Sequence, residues 1–227
     1  MERLDCETVE IYRSVLDSVK TNMYVLPCGR DVVVVDPHPD PLAMTYIAGR
    51  RPQTVWIFLT HEHPDHTLGV PWLRERFDCR LVCQRNCAER IAIASNNRPL
   101  VITLMLAEYD KRHGTHRKEE FVKSFKPYTC QVEIVFDDEW ETAIGENRFK
   151  FAAAPGHSCG GSLITLNDSV AFTGDNLIPN EDVIFRFPGG DREVYESVTK
   201  PLLDGLPENT MILPGHGNPC NKGAFVL

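Results

Sequence analysis

Short apolar runs alternate with turn residues along the first third of the chain. Residues 19–26 (VKTNMYVL) and 32–35 (VVVV) predict neighbouring strands joined by Pro27-Cys28-Gly29-Arg30. Residues 40–49 predict a short helix, with Asp40 as its cap and Pro41 in the first position. Residues 53–60 (QTVWIFLT) are a near-continuous apolar run, the pattern of a buried central strand. Helices are predicted over 67–77 and 84–95, with a strand at 79–83 between them. Across 97–128, Leu100, Leu104 and Tyr109 with Val101, Met105 and Leu106 suit one helix, and Lys118 to Phe125 suit another. The polar stretch from Asp110 to Arg117 separates them. Strands follow at 131–136, 148–154, 162–167 and 169–173, then a helix at 191–203 and a last strand at 210–213. Strands followed by helices in both halves predict an α/β (α+β) protein with mixed sheets and outer helices. No repeat, low-complexity segment or linker interrupts it, so residues 1–227 are read as a single domain.

Composition narrows the function classes. A chain of 227 residues can bury a sizeable core. Its formal net charge of −8 argues against a nucleic-acid partner, which calls for a basic face. The polar start, MERLDCETVEIYRS, has no apolar stretch of the kind a signal peptide needs. Runs such as Asp31-Val32-Val33-Val34-Val35-Asp36 are far too short to span a bilayer. The expectation is a cytoplasmic protein acting on a small molecule, with no membrane partner; oligomeric state is not legible. The eight cysteines include no CxxC pair. Cys79, Cys83 and Cys87 have a metal-like spacing, but the first two bracket a predicted strand and the third falls in the next helix. Reduced, inert thiols are the plainer expectation.

Candidate chemistry is concentrated at strand ends. Thr60-His61-Glu62-His63-Pro64-Asp65-His66 directly follows the apolar strand and puts four potential ligands within six residues. A tight loop there can turn alternate side chains toward two neighbouring points. Imidazole and carboxylate are the ligand set of zinc, iron or manganese. Three further segments share the design: Pro155-Gly156-His157-Ser158, Thr173-Gly174-Asp175-Asn176 and Pro214-Gly215-His216-Gly217. Each places one ligand-type residue in a glycine-containing turn after a strand. Any one of them alone is an ordinary turn; four in one chain are not.

The series HxHxDH, GH, GD, GH resembles the metallo-β-lactamase superfamily, and within it most resembles the short glyoxalase II-like branch, from about Asn22 to Asn218. The resemblance implies a four-layer αββα sandwich, here with a helical insertion around 97–128. It implies that His61, His63 and His157 hold one divalent metal ion, that Asp65, His66 and His216 hold a second, and that Asp175 bridges the two. Zinc is the first expectation for both ions, with iron or manganese as alternatives. Asp36-Pro37 matches an early strand end at which the Asp has a structural role. The implied activity is a dinuclear-metal-dependent hydrolase using a metal-bound hydroxide, with Asp65 as the catalytic residue that handles the nucleophile's proton. A thioester or related small acyl compound is the expected substrate, as in hydroxyacylglutathione hydrolases. Alternatives are a lactonase of the same fold, a mononuclear iron persulfide dioxygenase using His61, His63, His157 and Asp175, or a non-catalytic metal-binding protein.

The chain departs from that pattern in places. His38 stands where the family usually has glycine, and is read as a surface histidine or as a residue reaching the rim. Pro188-Gly189-Gly190-Asp191 is kept, whereas the Gly-Arg pair that often precedes it is altered. The sequence runs eleven residues past His216, so the helical domain that contacts glutathione in full glyoxalase II enzymes is expected to be missing. Lys111, Arg112, Arg117 and Lys118 make the 97–128 segment locally basic, the pattern of a lid for an anionic substrate or of a solvated turn. Cys159 and Cys220 receive no role.

Overall fold

The computed structural model describes residues 1–4, 6 and 9–224, with only the backbone at position 101. Asp5, Glu7 and Thr8 of the polar N-terminal stretch, and the Val101 side chain, lie outside the described residues.

Two mixed sheets face each other. The first runs in chain order through β1 (Glu2–Leu4), β2 (Ile11–Val15), β3 (Asn22–Cys28), β4 (Asp31–Val35), β5 (Val55–Phe58), β6 (Cys79–Gln84) and β7 (Ile134–Phe136). The second comprises β8 (Glu139–Ile144), β9 (Asn147–Ala153), β10 (Ser162–Leu166), β11 (Val170–Gly174), β12 (Met211–Pro214) and β13 (Cys220–Asn221), ordered β13-β12-β11-β10-β9-β8. The parallel pairs are β4 to β7 in the first sheet and β11 with β12 in the second.

Alternation explains the layers. Val33, Val35 and Phe58 point between the sheets, where they meet Phe149, Phe151, Ile164, Phe172 and Leu213. Val32, Val34, Val55 and Ile57 point the other way, onto helices α1 (Pro41–Arg50), α3 (Val70–Arg74) and α4 (Arg85–Ile91) through Ala43, Ile47, Leu73, Cys87 and Ile91. Both faces of β4 and β5 are therefore covered, which is why their sequences read as unbroken apolar runs. Ala171 and Ile212 cover the outer face of the second sheet against Tyr195 and Leu203. These two residues lie on α7, residues 192–204, in which a π-helical turn at Tyr195–Thr199 separates Arg192–Val194 from Lys200–Asp204. The result is the αββα sandwich. Among the described residues no helix is long and apolar enough to cross a membrane.

Several predicted elements differ in detail. The Asp40 cap and Pro41 start of α1 are as read, with Asp40 accepting from the Leu42 N–H. The helix expected over 67–77 is two short ones, α2 (Pro64–Thr67) and α3, broken at Gly69. A Cβ on Gly69 would lie 2.4 Å from the Pro37 carbonyl, and the Gly69 N–H donates to that carbonyl at 2.8 Å. The chain bends there to reach the β4 end. Strands β1, β2, β8 and β13 carry too few inward apolar residues to be read from sequence; in β8, Trp140, Thr142 and Ile144 alternate with the exposed Glu139, Glu141 and Ala143. Within 97–128, α5 (Leu100–His113) and α6 (Arg117–Ser124) form a hairpin whose helix takes in much of the expected polar stretch.

Candidate metal centre

All seven expected ligands come together at one edge of the sandwich. The loop after β5 carries His61 and His63, and α2 carries Asp65 and His66, so these last two sit on a helical turn rather than in a loop. Proline at the first position and an acidic residue in the first turn are the helix-start signals that the segment contains. The carboxyl ends of β9, β11 and β12 lead into His157, Asp175 and His216. The two sheets meet there, since the Asn22 N–H donates to the Gly215 carbonyl at 2.7 Å and Thr21 bridges His216.

The donor atoms form two groups, His61, His63 and His157 in one and Asp65, His66 and His216 in the other, linked by a third set, His61, His66 and Asp175. His63 Nδ1 lies 3.0 Å from His61 Nε2 and 3.1 Å from His157 Nε2. Three nitrogens about a tetrahedral ion at about 2.0–2.1 Å would stand roughly 3.3 Å apart. Asp65 Oδ2 lies 3.5 Å from His66 Nε2 and 3.4 Å from His216 Nε2. Asp175 faces both groups: Oδ2 is 3.6 Å from His157 Nε2 and 3.5 Å from His216 Nε2, and Oδ1 is 3.5 Å from His66 Nε2. His66 Nε2 and Asp175 Oδ1 are buried without a hydrogen-bond partner, an arrangement that costs free energy unless a cation occupies the space between them. The donor set fits divalent metal ions. A Cβ at Gly215 would stand 2.2 Å from Asp175 Oδ1 and 2.7 Å from His66 Cε1, so no other residue fits this turn.

Charge divides the two groups further. Burial holds His61, His63 and His157 in their neutral forms, with His157 lowered to about 4. Burial also opposes charge on His66 and His216, but the carboxylates overcome it: Asp65, Asp175 and Asp36 at His66, Asp175 and Asp65 at His216. Both histidines are raised. Asp65 and Asp175 are held well below the usual carboxylate range against burial, chiefly by His66 and His216. Without a cation the second group is thus a set of ion pairs, and the first a cluster of neutral imidazoles.

Supporting residues that sequence reasoning passed over surround these ligands. Thr21 donates to Asp65 Oδ2 at 2.7 Å. Asn22 and Tyr24 donate to the Pro214 carbonyl at 2.9 and 2.7 Å and fix the His216 turn. Asn176 donates to the Ala154 carbonyl and accepts from the His157 N–H. Each is an ordinary strand or turn residue whose use depends on a partner more than fifteen positions away. Phe187 stands with its ring centroid 5.7 Å from that of His63, at the mouth of the first group.

His38 is buried rather than on the surface, its Nε2 without a partner. It lines an open cavity of about 500 Å³ with Arg13, Ser14 and Asp40. No cysteine joins a potential ligand group among the described residues. The α5–α6 hairpin packs on Leu16, Val19 and Leu68 through Ile102, Leu106 and Phe121, beside the helix bearing Asp65. Arg112 pairs with Glu108, and Arg117 with Asp17.

The Metallo-beta-lactamase superfamily model matches residues 17–216. The chain is 25% identical over 207 residues to the probable metallo-hydrolase YqgX of Bacillus subtilis, covering 88% of this chain and 86% of that one. It is 29% identical over 189 residues to a hydroxyacylglutathione hydrolase of Cereibacter sphaeroides, covering 83% of this chain but 58% of the relative. In fold it matches the crystal structure of the B3 metallo-beta-lactamase BLEG-1, with a TM-score of 0.72, 24% identity and 94% of each chain covered.

Proposed function

We infer that this chain, which belongs to the metallo-beta-lactamase superfamily and is a metal-dependent hydrolase, cleaves a thioester or a related small acyl substrate. The observation that carries the reading is Asp175. Its Oδ2 faces His157 and His216 and its Oδ1 faces His66, so one carboxylate lies within reach of both ligand groups, as expected of a residue shared by two ions. His61, His63 and His157 would hold one ion, Asp65, His66 and His216 the other, with zinc as the first choice for both. Such ions supply an activated water and polarise the carbonyl that it attacks.

The protein's own residues do the rest. In this reading Asp65 takes and orients the nucleophile's proton, and the Thr21 hydroxyl, which donates to Asp65 Oδ2, would hold the carboxylate for that task. Phe187 offers an apolar wall beside His63 for the acyl or thiol portion of the substrate. Hydroxyacylglutathione hydrolysis by the Cereibacter sphaeroides relative favours a thioester.

A hydrolysis panel tests this. Protein loaded with zinc is offered a small aryl thioester, S-lactoylglutathione, a homoserine lactone and a nitrocefin-type β-lactam, each across a concentration range that spans KM. The reading expects the highest kcat/KM with a thioester. A preference for the lactone or the β-lactam by tenfold or more would replace it.

A further inference from the structure

We propose that Glu62 is a positioning residue for the first ligand group, holding His61 and His63 in register with His157. The proposal rests on the assignment of those three histidines as metal ligands. Glu62 lies between two of them in the chain, yet its carboxylate turns away from the ligand atoms. It is 6% exposed. Its Oε2 accepts from the Ser158 hydroxyl at 3.0 Å and from the Gly160 N–H at 3.1 Å, and its Oε1 accepts from the Cys159 thiol at 3.2 Å. Three consecutive residues after His157 therefore converge on one side chain. Arg90, from α4, donates to the Cys159 sulfur at 2.9 Å and places its charge 3.7 Å from Oε1.

A buried carboxylate is costly to desolvate, and a hydrocarbon of similar size would fill the space at less cost. What the carboxylate supplies is geometry. The loop after β5 and the turn after β9 belong to different sheets, and a ligand set tolerates errors of only about 0.2 Å. The Ser162 N–H to Thr60 carbonyl bond of 2.7 Å ties the two segments on one side of the ligands. Glu62 ties them on the other, across the gap that His63 and His157 span at 3.1 Å. Glutamine in its place keeps the volume but loses the charge facing Arg90 and can no longer accept from all three donors.

The test uses cobalt(II) as the probe, in a His216→Ala background that leaves the first group as the competent site. Glu62→Gln is expected to weaken cobalt binding by about 10–100-fold in chelator competition, the range for outer-shell partners, and to change the visible d–d spectrum. Ser158→Ala, which removes one donor, should weaken binding less and add little to Glu62→Gln. A core variant, Phe172→Leu, matched for loss of Tm, should bind normally. Wild-type affinity and spectrum in Glu62→Gln would overturn the proposal, as would equal weakening in Phe172→Leu. If Glu62→Gln does not fold, Ser158→Ala decides alone: normal binding there also overturns it. His157→Ala is run alongside; retained binding in that variant sinks the ligand assignment itself, a failure distinguishable from that of Glu62.

Discussion

Nδ1 of His66 lies 2.9 Å from Oδ2 of Asp36, and both side chains are buried. The contact makes Nδ1 the donor and leaves Nε2 to face Asp65 and Asp175, so it selects the ring tautomer that can bind a cation. Asp36 also accepts from the Thr60 N–H at 2.8 Å and the Thr60 hydroxyl at 2.6 Å. It does so from a left-handed backbone conformation with φ of 51°, which costs of order 1–3 kcal/mol. The three bonds hold it there.

Asp36→Asn should therefore act on metal binding and on stability together. Loss of one acceptor from a saturated buried set is expected to cost about 1–3 kcal/mol in denaturant unfolding. Affinity for the second ion should fall by about 10–100-fold with the first ion retained. Elemental analysis across a chelator series reads both sites; equal loss of the two ions would show that Asp36 serves the fold alone.

Metal-replete protein should hold two ions per chain, and acid should remove the second first. The raised values of His66 and His216 mean that the metal-free second group is protonated at neutral pH, so loading it releases protons and is favoured as pH rises. His61, His63 and His157 are lowered and already neutral, so the first group loads without that competition until pH falls toward about 4, where His157 protonates. Stoichiometry measured between pH 8 and pH 5 should step from two to one. Saturation at one ion throughout would remove the dinuclear reading and favour a mononuclear centre.

Asp65→Ala should fold, bind one ion and lose hydrolysis by about two to four orders of magnitude, the range of a general acid–base group. Thr21→Val, which deletes the donor on Asp65, should lose less and shift the acid limb of the kcat/KM profile. Near-normal turnover by folded Asp65→Ala would rule out its proposed role.

Neutralising Lys111, Arg112, Arg117 and Lys118 together tests the α5–α6 hairpin. Because every proposed metal ligand lies outside it, metal content should not change. KM for an anionic thioester should rise several-fold, while a neutral ester is unaffected. Equal effects on both substrates, or none, would leave the hairpin as surface packing; Arg112 and Arg117 already have carboxylate partners.

The central strands and the seven candidate ligands that the fold brings together were legible because their signals are local. An apolar run such as VWIF marks a strand covered on both faces, and glycine beside histidine or aspartate marks a tight strand-end turn. Short outlying strands such as Ile11–Val15 show no such run, and the break at Gly69 depends on a backbone contact with Pro37, thirty-two positions earlier. Thr21, Glu62 and Asn176 were illegible for the same reason: nothing in their own surroundings distinguishes them from ordinary polar residues. His38 was misjudged because its burial follows from the folding of other segments around it.

The π-helical turn in α7 gives one segment two competing ideals. Tyr195 donates to the Asn176 carbonyl at 3.0 Å and Thr199 to the Pro155 carbonyl at 2.5 Å, so the first clasps the turn that presents Asp175 and the second the turn that presents His157. The Lys200 N–H returns to the Tyr195 carbonyl across the wide turn, and Pro201 follows without an N–H of its own. Deleting one residue between 195 and 199 would restore regular winding and improve the helix as a helix. It would also swing one of the two clasps off its turn by about 100°, the angular step of a helical residue. The hold on the two ligand-bearing turns and the regular winding of the helix make opposite demands here, and the wide turn meets the first at the expense of the second.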